Sequence, residues 1–407
     1  MSGPLEGTRV VEFCDGPGEL AGKILADMGA DVIKVEPPDG SKSRTIGPFV
    51  DDQAGPNRSL HFWYHNTNKR SAVAELDEPE VVEAVRALTA AADIVVEDHQ
   101  PGWLAAALGP LDVVQAESPR LVVCSITPFG QDGPWAEWST TDLVSLALGG
   151  PMAMNGYSPE DREGVPPIRG HGDQGYNTGC HHAVIGIMAA LLHRDSTGEG
   201  QLVDCSMHEA LSCTTEVGMP YYLYQRRDVV RQTGRHAAVR PTEPWLATAG
   251  DGRDLILYGR GRDNRTWAQL KKWMQEHGYG RQFDEERFDS PRARQPGAGS
   301  AEAAEITQEL LSFVAASTAD EIYRGGQSRR QAWGAVRSPE ETLDDVHLQA
   351  RGFFVKTTGE GRVEGAEMPG APYQFSETPW ELRRPAPQLG EHTADIFEHP
   401  AEPWPCA

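Results

Sequence analysis

The chain has 407 residues, of which 37 are Lys or Arg and 60 are Asp or Glu, for a formal net charge of −23. Such a surface is repelled by phosphodiester backbones and anionic lipid headgroups, which argues against nucleic-acid binding and a polybasic membrane role and requires any anionic ligand to be met by local positive groups. At 39% hydrophobic and 24% charged residues the composition is that of an ordinary globular protein, long enough for two or three domains.

The longest apolar run, Ala183–Leu192, is ten residues, about half of a bilayer span, so no membrane insertion is expected. The N-terminus carries no basic segment followed by an apolar stretch, and the chain reads as cytoplasmic. Its six cysteines (Cys14, Cys124, Cys180, Cys205, Cys213 and Cys406) show no CxxC or Cys/His spacing. Most of them read as buried small apolar residues, and no metal site is expected.

In chain order, Arg9–Cys14 reads as a strand, Glu19–Met28 as a helix and Asp31–Glu36 as a second strand, which makes a βαβ unit. The pattern recurs with a helix at Pro79–Ala92, a strand at Asp93–Glu97, a short helix opened by Pro110 and a strand at Leu121–Ile126. Alternation of this kind predicts a parallel sheet with helices on both faces. Turns rich in Gly and Pro follow Phe129. Next come a strong helix at Gly179–His193, a strand at Gln201–Ser206 and a helix from His208. Beyond Tyr224 the composition shifts to Arg-rich, broken segments with a helix at Thr266–His277 and a mobile-looking loop at Asp289–Ala304. The expected organisation is a large doubly wound α/β domain with its N-terminal part at 1–224, a small α/β domain at 225–335, and a return segment at 336–407 that completes the large domain.

Between the first strand and helix, Gly16-Pro17-Gly18-Glu-Leu-Ala21 fits G-x-G-x-x-A, with Glu36 about twenty residues on. Alone this is a dinucleotide fingerprint and suggests a nicotinamide oxidoreductase, although a Gly-rich turn also serves packing or another ligand. Further along, Ile168–Gly179 sets one acid, Asp173, among glycines just before a helix. A carboxylate so placed is either an N-cap or a nucleophile that substrates can approach closely.

The order and spacing of several motifs resemble the class III coenzyme A transferases, the family of formyl-CoA transferase, the carnitine CoA-transferases and alpha-methylacyl-CoA racemase. They are Pro4–Phe13, Leu25–Pro37, Asn68–Ser71, Val95–Gly102, Phe129–Pro134, Asp173 with Gly179 and Ile185–Leu191, Arg194–Asp204, Leu348–Phe354 and Ala386–Thr393. The resemblance implies a Rossmann-like large domain built from both chain ends, an interlocked homodimer, and CoA or acyl-CoA as substrate without a permanently bound cofactor. It also implies that Asp173 attacks the acyl-CoA carbonyl, with CoA then carried as an aspartyl thioester to a free carboxylic acid. CoA would lie near Pro17 and Gly18, with positive charge from Arg44, Lys69 and Arg70, and Asp98, His99 and Gln100 would line the adenosine. Backbone N–H groups around Asp173, or of Gly259-Arg-Gly261, are candidate oxyanion donors.

Departures from the family pattern are also visible. Relatives with a basic residue after the Pro-Gly of the adenosine loop have no counterpart in Gly102–Gly109. Pro37 and Pro17 stand where formyl-CoA transferase has a basic residue and an inner-site glutamine, which argues against formyl-CoA/oxalate specificity. The second base of the racemases, a His before an Asp, is Thr141 here, and Thr cannot serve as that base. His171 is a distant substitute, His181 and His182 read as packing or surface residues, and Glu209 reads as a first-turn dipole partner. The Tyr221–Tyr224 cluster is either packing or part of an acyl pocket. The expected function is CoA transfer between acids. An acyl-CoA racemase, the oxidoreductase and a non-catalytic acyl-CoA-binding protein are the alternatives.

Overall fold

The computed structural model describes residues 3–398 apart from 161–162, 216, 243–244, 262, 295–299 and 358–364. Cys406 and part of the 289–304 loop therefore lie outside the described residues. Contacts divide the chain into two compact units, one of 1–149, 171–214 and 345–407 and the other of 150–170 and 215–344.

The first unit is built on β1 (Arg9–Phe13), α1 (Glu19–Asp27), β2 (Asp31–Glu36), α2 (Leu60–His65), β3 (Lys69–Val73), α3 (Pro79–Ala90), β4 (Ile94–Glu97), α4 (Trp103–Leu108), α5 (Leu111–Glu117), β5 (Val122–Thr127) and α6 (Asp142–Leu148). After a short α7 (Pro151–Met154) that belongs to the second unit, it continues with α8 (Gln174–Thr197), β6 (Leu202–Ser206) and α9 (Met207–Cys213). The six strands form one parallel sheet in the order β3-β2-β1-β4-β5-β6. That is the doubly wound order, in which the connections reverse direction beside β1 and open a crevice at the strands' C-terminal ends.

The strands can be apolar at consecutive positions because both faces are covered. Val10, Val32, Ile94 and Val122 pack with α1 and α8, whereas Val11, Ile33, Val95 and Val123 pack on the side of α3 and α4. The C-terminal segment returns to this core. Ile396 of a short helix at its end is buried with Val11 and Ile33, His392 donates its backbone N–H to Ser71 O, and Val73 donates to Thr393 Oγ1.

The second unit holds α10 (Gly218–Gln225), a β7–β8 hairpin (Val230–Gln232, Arg235–Ala238) and β9 (Leu246–Thr248), β10 (Asp254–Tyr258) and β11 (Ala332–Ala335) in an antiparallel sheet. Its core is aromatic, with Trp267, Trp273, Phe283, Phe313 and Trp333 buried together. Residues 215–224, which the composition shift grouped with the N-terminal part, fall in this unit, as do 150–170, because α7 packs on the β7 hairpin.

Candidate active site

At the C-terminal end of β1 the Gly16–Gly18 turn leads into α1. Asp98, just after β4, accepts the backbone N–H groups of Asp15 and Gly18, each at 2.8 Å. A side chain at Gly18 would lie 2.8 Å from Cys14 Sγ and 2.9 Å from Asp98 Cβ, so the glycine is required by close packing against β4. Burial pushes the Asp98 carboxyl up to about 7 despite these two hydrogen bonds. Pro17 closes the turn, and its carbonyl accepts the Cys180 thiol at 3.1 Å. His99 stacks on Trp103 at 3.7 Å, and Gln100 is exposed beside them. His99 and Trp103 form, with Phe13, Val35, Pro37 and Leu76, the wall of a cavity of about 430 Å³.

A second cavity of about 230 Å³ shares Asp15 with the first and is walled by Pro17, Lys42, His61, His65, Asp173 and Tyr176 among others. Asp173 occupies the N-cap position of α8, yet its carboxylate makes no capping hydrogen bond and is 39% exposed. The cap is supplied by Asp142, whose Oδ1 accepts the N–H groups of Gly175 at 2.7 Å and Tyr176 at 3.3 Å. The two roles open to a lone acid before a helix are thus divided between two residues. Replacing Asp142 with Ala should cost about 1–2 kcal/mol of stability in denaturant unfolding, as loss of an N-cap does, while Asp142→Asn, which keeps the acceptor oxygen, should cost less than half of that.

His61 is the neighbour that local sequence did not reveal. Its Nδ1 is 4.0 Å from Asp173 Oδ2, and its ring lies 4.3 Å from that of His65 one turn along α2. His65 Nδ1 is hydrogen-bonded to His61 O, and burial pulls its pKa down to about 4, so it is neutral at pH 7. The only available signal was the i, i+4 spacing of the two histidines.

The cations expected to hold phosphate are engaged by partners within the protein. Arg44 is 1% exposed, and its guanidinium donates to Glu36, to the Pro56 and Pro387 carbonyls and to Asn57, which commits all its N–H groups. Lys69 is 0% exposed and gives its three donors to Glu12, Glu19 O and Asn66. With Lys34, which bridges Glu12 and Glu19, these groups form a buried set of three cations and three carboxylates. Their charges cancel internally, so as placed they present none to a ligand. Arg70 pairs in bidentate fashion with Asp31, the first residue of β2, toward the edge of the sheet opposite the crevice. Lys42 is the cation at the cavity. Its side chain is exposed and bridged to Asp15 at 2.6 Å.

Other predicted groups resolve similarly. Glu36, which a dinucleotide fingerprint would aim at ribose, is sealed against Arg44, Ser41 and Ser71. Thr141 caps α6 by accepting the Val144 N–H at 3.4 Å. His171, His181 and His182 are exposed. In the second unit, the Gly261 N–H is taken by Gln331 at 3.0 Å and so is no free oxyanion donor there, and Tyr224 of α10 is 87% exposed. Among the described residues no cluster of His, Cys, Asp and Glu is placed to hold a metal ion, and no helix is long and apolar enough to cross a membrane.

A doubly wound sheet with a non-capping acid facing a cavity at its switch point is the arrangement in which α/β enzymes place their ligand sites. The chain belongs to the CoA-transferase family III, whose model matches residues 5–393. It is 33% identical over 401 residues to succinate–glutarate CoA-transferase of Agrobacterium fabrum, covering 97% of this chain and 95% of the relative. It is also 30% identical over 391 residues to a subunit of succinyl-CoA:(R)-benzylsuccinate CoA-transferase of Thauera aromatica, covering 96% and 92%. Among solved structures it is similar to a CAIB/BAIF family protein of Brucella suis, with a TM-score of 0.81 and 27% identity over 98% of this chain and 100% of that one.

Proposed function

We propose that this enzyme moves CoA from an acyl-CoA to a free carboxylic acid with Asp173 as the nucleophile. The observation that carries the reading is the division of labour at the start of α8. Asp142 caps the helix, which leaves the Asp173 carboxylate accessible at the cavity wall. The carboxylate attacks the thioester carbonyl and forms an acyl-aspartyl anhydride as CoA thiolate departs with the electron pair of the C–S bond. The thiolate then attacks Asp173 Cγ, giving an aspartyl-CoA thioester and the free donor acid. An acceptor carboxylate attacks the same carbon and expels the thiolate, which takes the new acyl group and returns Asp173 to its starting form. No water and no net proton is consumed, so the thioester's free energy is kept.

The 430 Å³ cavity, with its His99–Trp103 stack beside Phe13, Val35 and Leu76, suits the adenine ring of CoA, and the acids Asp15, Glu36, Glu75 and Asp77 on the same wall keep the phosphates outside it. The thioester end then falls in the 230 Å³ cavity, which shares Asp15 with it. Pro17, Gly18, Asp98, His99 and Gln100 keep their proposed place around CoA. Arg44, Lys69 and Arg70 are assigned instead to holding the fold.

The two named relatives act on succinyl-CoA or succinate, so succinyl-CoA is the first donor to test. Incubation with a panel of mono- and dicarboxylic acids, followed by chromatography of the CoA thioesters, should show a new acyl-CoA at the expense of succinyl-CoA. Release of free CoA alone, or binding of acyl-CoA donors without turnover, would contradict the reading.

The working form is proposed to be an interlocked homodimer. α8 carries apolar residues around its whole circumference, and its outward Ile185 and Leu192 are 66% and 72% exposed in the single chain, which is unusual for a soluble surface. Light scattering should give about twice the chain's 44.4 kDa; a monomer would contradict this.

A further inference from the structure

We infer that His61 is a catalytic residue for the second half of the transfer, holding the incoming carboxylate against Asp173. The inference rests on the transferase reading above. A carboxylate acceptor has to enter a cavity that already contains Asp15 and Asp173, within a chain of net charge −23, and it must be met by a donor there. Three basic side chains line that cavity. Lys42 pairs with Asp15 through its ammonium and its backbone N–H, and among the described residues no ion pair joins it to Asp173. His65 gives Nδ1 to the His61 carbonyl and is held neutral by burial. Tyr176 and Asn177 also line the cavity, but His61 is the basic side chain that faces Asp173, and among the described residues its ring nitrogens make no hydrogen bond.

The geometry suits a role that begins only after the enzyme is acylated. At 4.0 Å from Asp173 Oδ2, His61 Nδ1 is too far to tie the carboxylate down as a hydrogen-bonded partner, so the nucleophile stays available. An oxygen approaching Asp173 Cγ from that side comes within donor reach of the imidazole. In the aspartyl-CoA thioester the Asp173 charge is gone, and the acceptor carboxylate replaces it as the anion facing His61. The acceptor oxygen forms its bond to Cγ, the C–S bond breaks, and the thiolate leaves with the electron pair, with no proton transferred. The charged and titratable groups facing His61 are Asp173 from α8, His65 from its own helix, and the Lys42–Asp15 pair from the loops after β2 and β1.

The test compares two acceptors on two variants. Exchange of isotopically labelled succinate into succinyl-CoA uses a carboxylate acceptor. Inactivation by hydroxylamine in the presence of succinyl-CoA uses a neutral nucleophile that attacks the same acylated Asp173. In His61→Ala the KM for succinate in exchange should rise about 10- to 100-fold, the effect of losing one hydrogen bond to a charged group, while the rate at which hydroxylamine captures aspartyl-CoA enzyme already formed and freed of succinate stays within about threefold of wild type. His61→Asn, whose amide N–H lies close to the imidazole Nδ1 position, should recover most of the exchange. A parallel fall of both reactions, no change in either, or no recovery with Asn would overturn the assignment. So would deuterium entering the α carbon of succinyl-CoA from D2O in wild type but not in His61→Ala, which would make the imidazole a proton-transfer base. If wild type shows neither exchange nor hydroxylamine inactivation with any donor of the panel, the transferase reading itself fails, and the assignment falls with it.

Discussion

Asp173→Ala and Asp173→Asn should each lower CoA transfer by about 10³-fold or more, because no other group on the cavity wall can form and then release an anhydride. Asp15, the nearest alternative acid, is engaged by Lys42 through both carboxylate oxygens. The loss should fall on kcat, with binding of the acyl-CoA donor changed only a few fold, since Asp173 lies at the thioester end and not at the His99–Trp103 wall. Stability should hardly change, because the Asp173 side chain caps nothing and Asp142 remains in place. A variant lacking the carboxylate that transfers CoA at the wild-type rate would end the proposal.

Lys69→Met should produce a large loss of stability, about 3–5 kcal/mol in denaturant unfolding, because it leaves the buried Glu12 carboxylate with one cation in place of two and takes the donor from the Glu19 carbonyl and Asn66 in a region with no access to water. The space is tightly drawn. Gly22 of α1 must be glycine because Glu12 Oε2 occupies the place of a Cβ, and Arg44 lies over the Phe62 ring at 3.7 Å. The same set of charges dictates the response to acid. Burial alone would raise the Glu19 carboxyl, but Lys34 and Lys69 outweigh it and hold its pKa at about 2, against an ordinary 4.5. A carboxyl depressed in the folded state stabilises above its unfolded pKa and loses that contribution as pH falls through its folded pKa. Stability should therefore decline between about pH 4.5 and 2, and in Lys69→Met, which weakens the depression of Glu19 in the folded state and leaves its unfolded pKa unchanged, that decline should be smaller. If Lys69 instead served CoA phosphate, its loss would raise the KM for acyl-CoA and flatten the salt dependence while leaving the unfolding midpoint in place.

These two residues mark how far the sequence could be read. The parallel sheet was legible because β1, β4 and β5 show apolar residues at consecutive positions and are followed by helical patterns, as a sheet covered on both sides requires, whereas β3, Lys69-Arg-Ser-Ala-Val73, carries no such run and was not read as a strand. The Gly16–Gly18 turn and the acid before α8 were legible because glycine spacing and a helix start are local signals. The partners of the buried cations were not. Lys69 meets Glu12 from 57 positions away, and nothing near Asn68–Ser71 distinguishes a lysine that faces a phosphate from one that faces a carboxylate. Arg44 and Glu36 are only eight positions apart, yet Glu36 read as a ribose ligand, because a charged residue ending a strand is ambiguous until its neighbours are placed.

Asp173 presented the same difficulty, since the choice between cap and nucleophile depends on Asp142, which approaches from a different helix. His61 drew no reading from the sequence, because only the folding of α2 beside the start of α8 brings its ring to the acid.

The most direct measurement of the central claim is peptide mapping after hydroxylamine capture. Enzyme turning over succinyl-CoA is quenched with hydroxylamine, digested and sequenced by mass spectrometry. A hydroxamate on Asp173, formed only when acyl-CoA is present, is the predicted result. Undiminished transfer with no modification at Asp173, or with the label on a different residue, would contradict it.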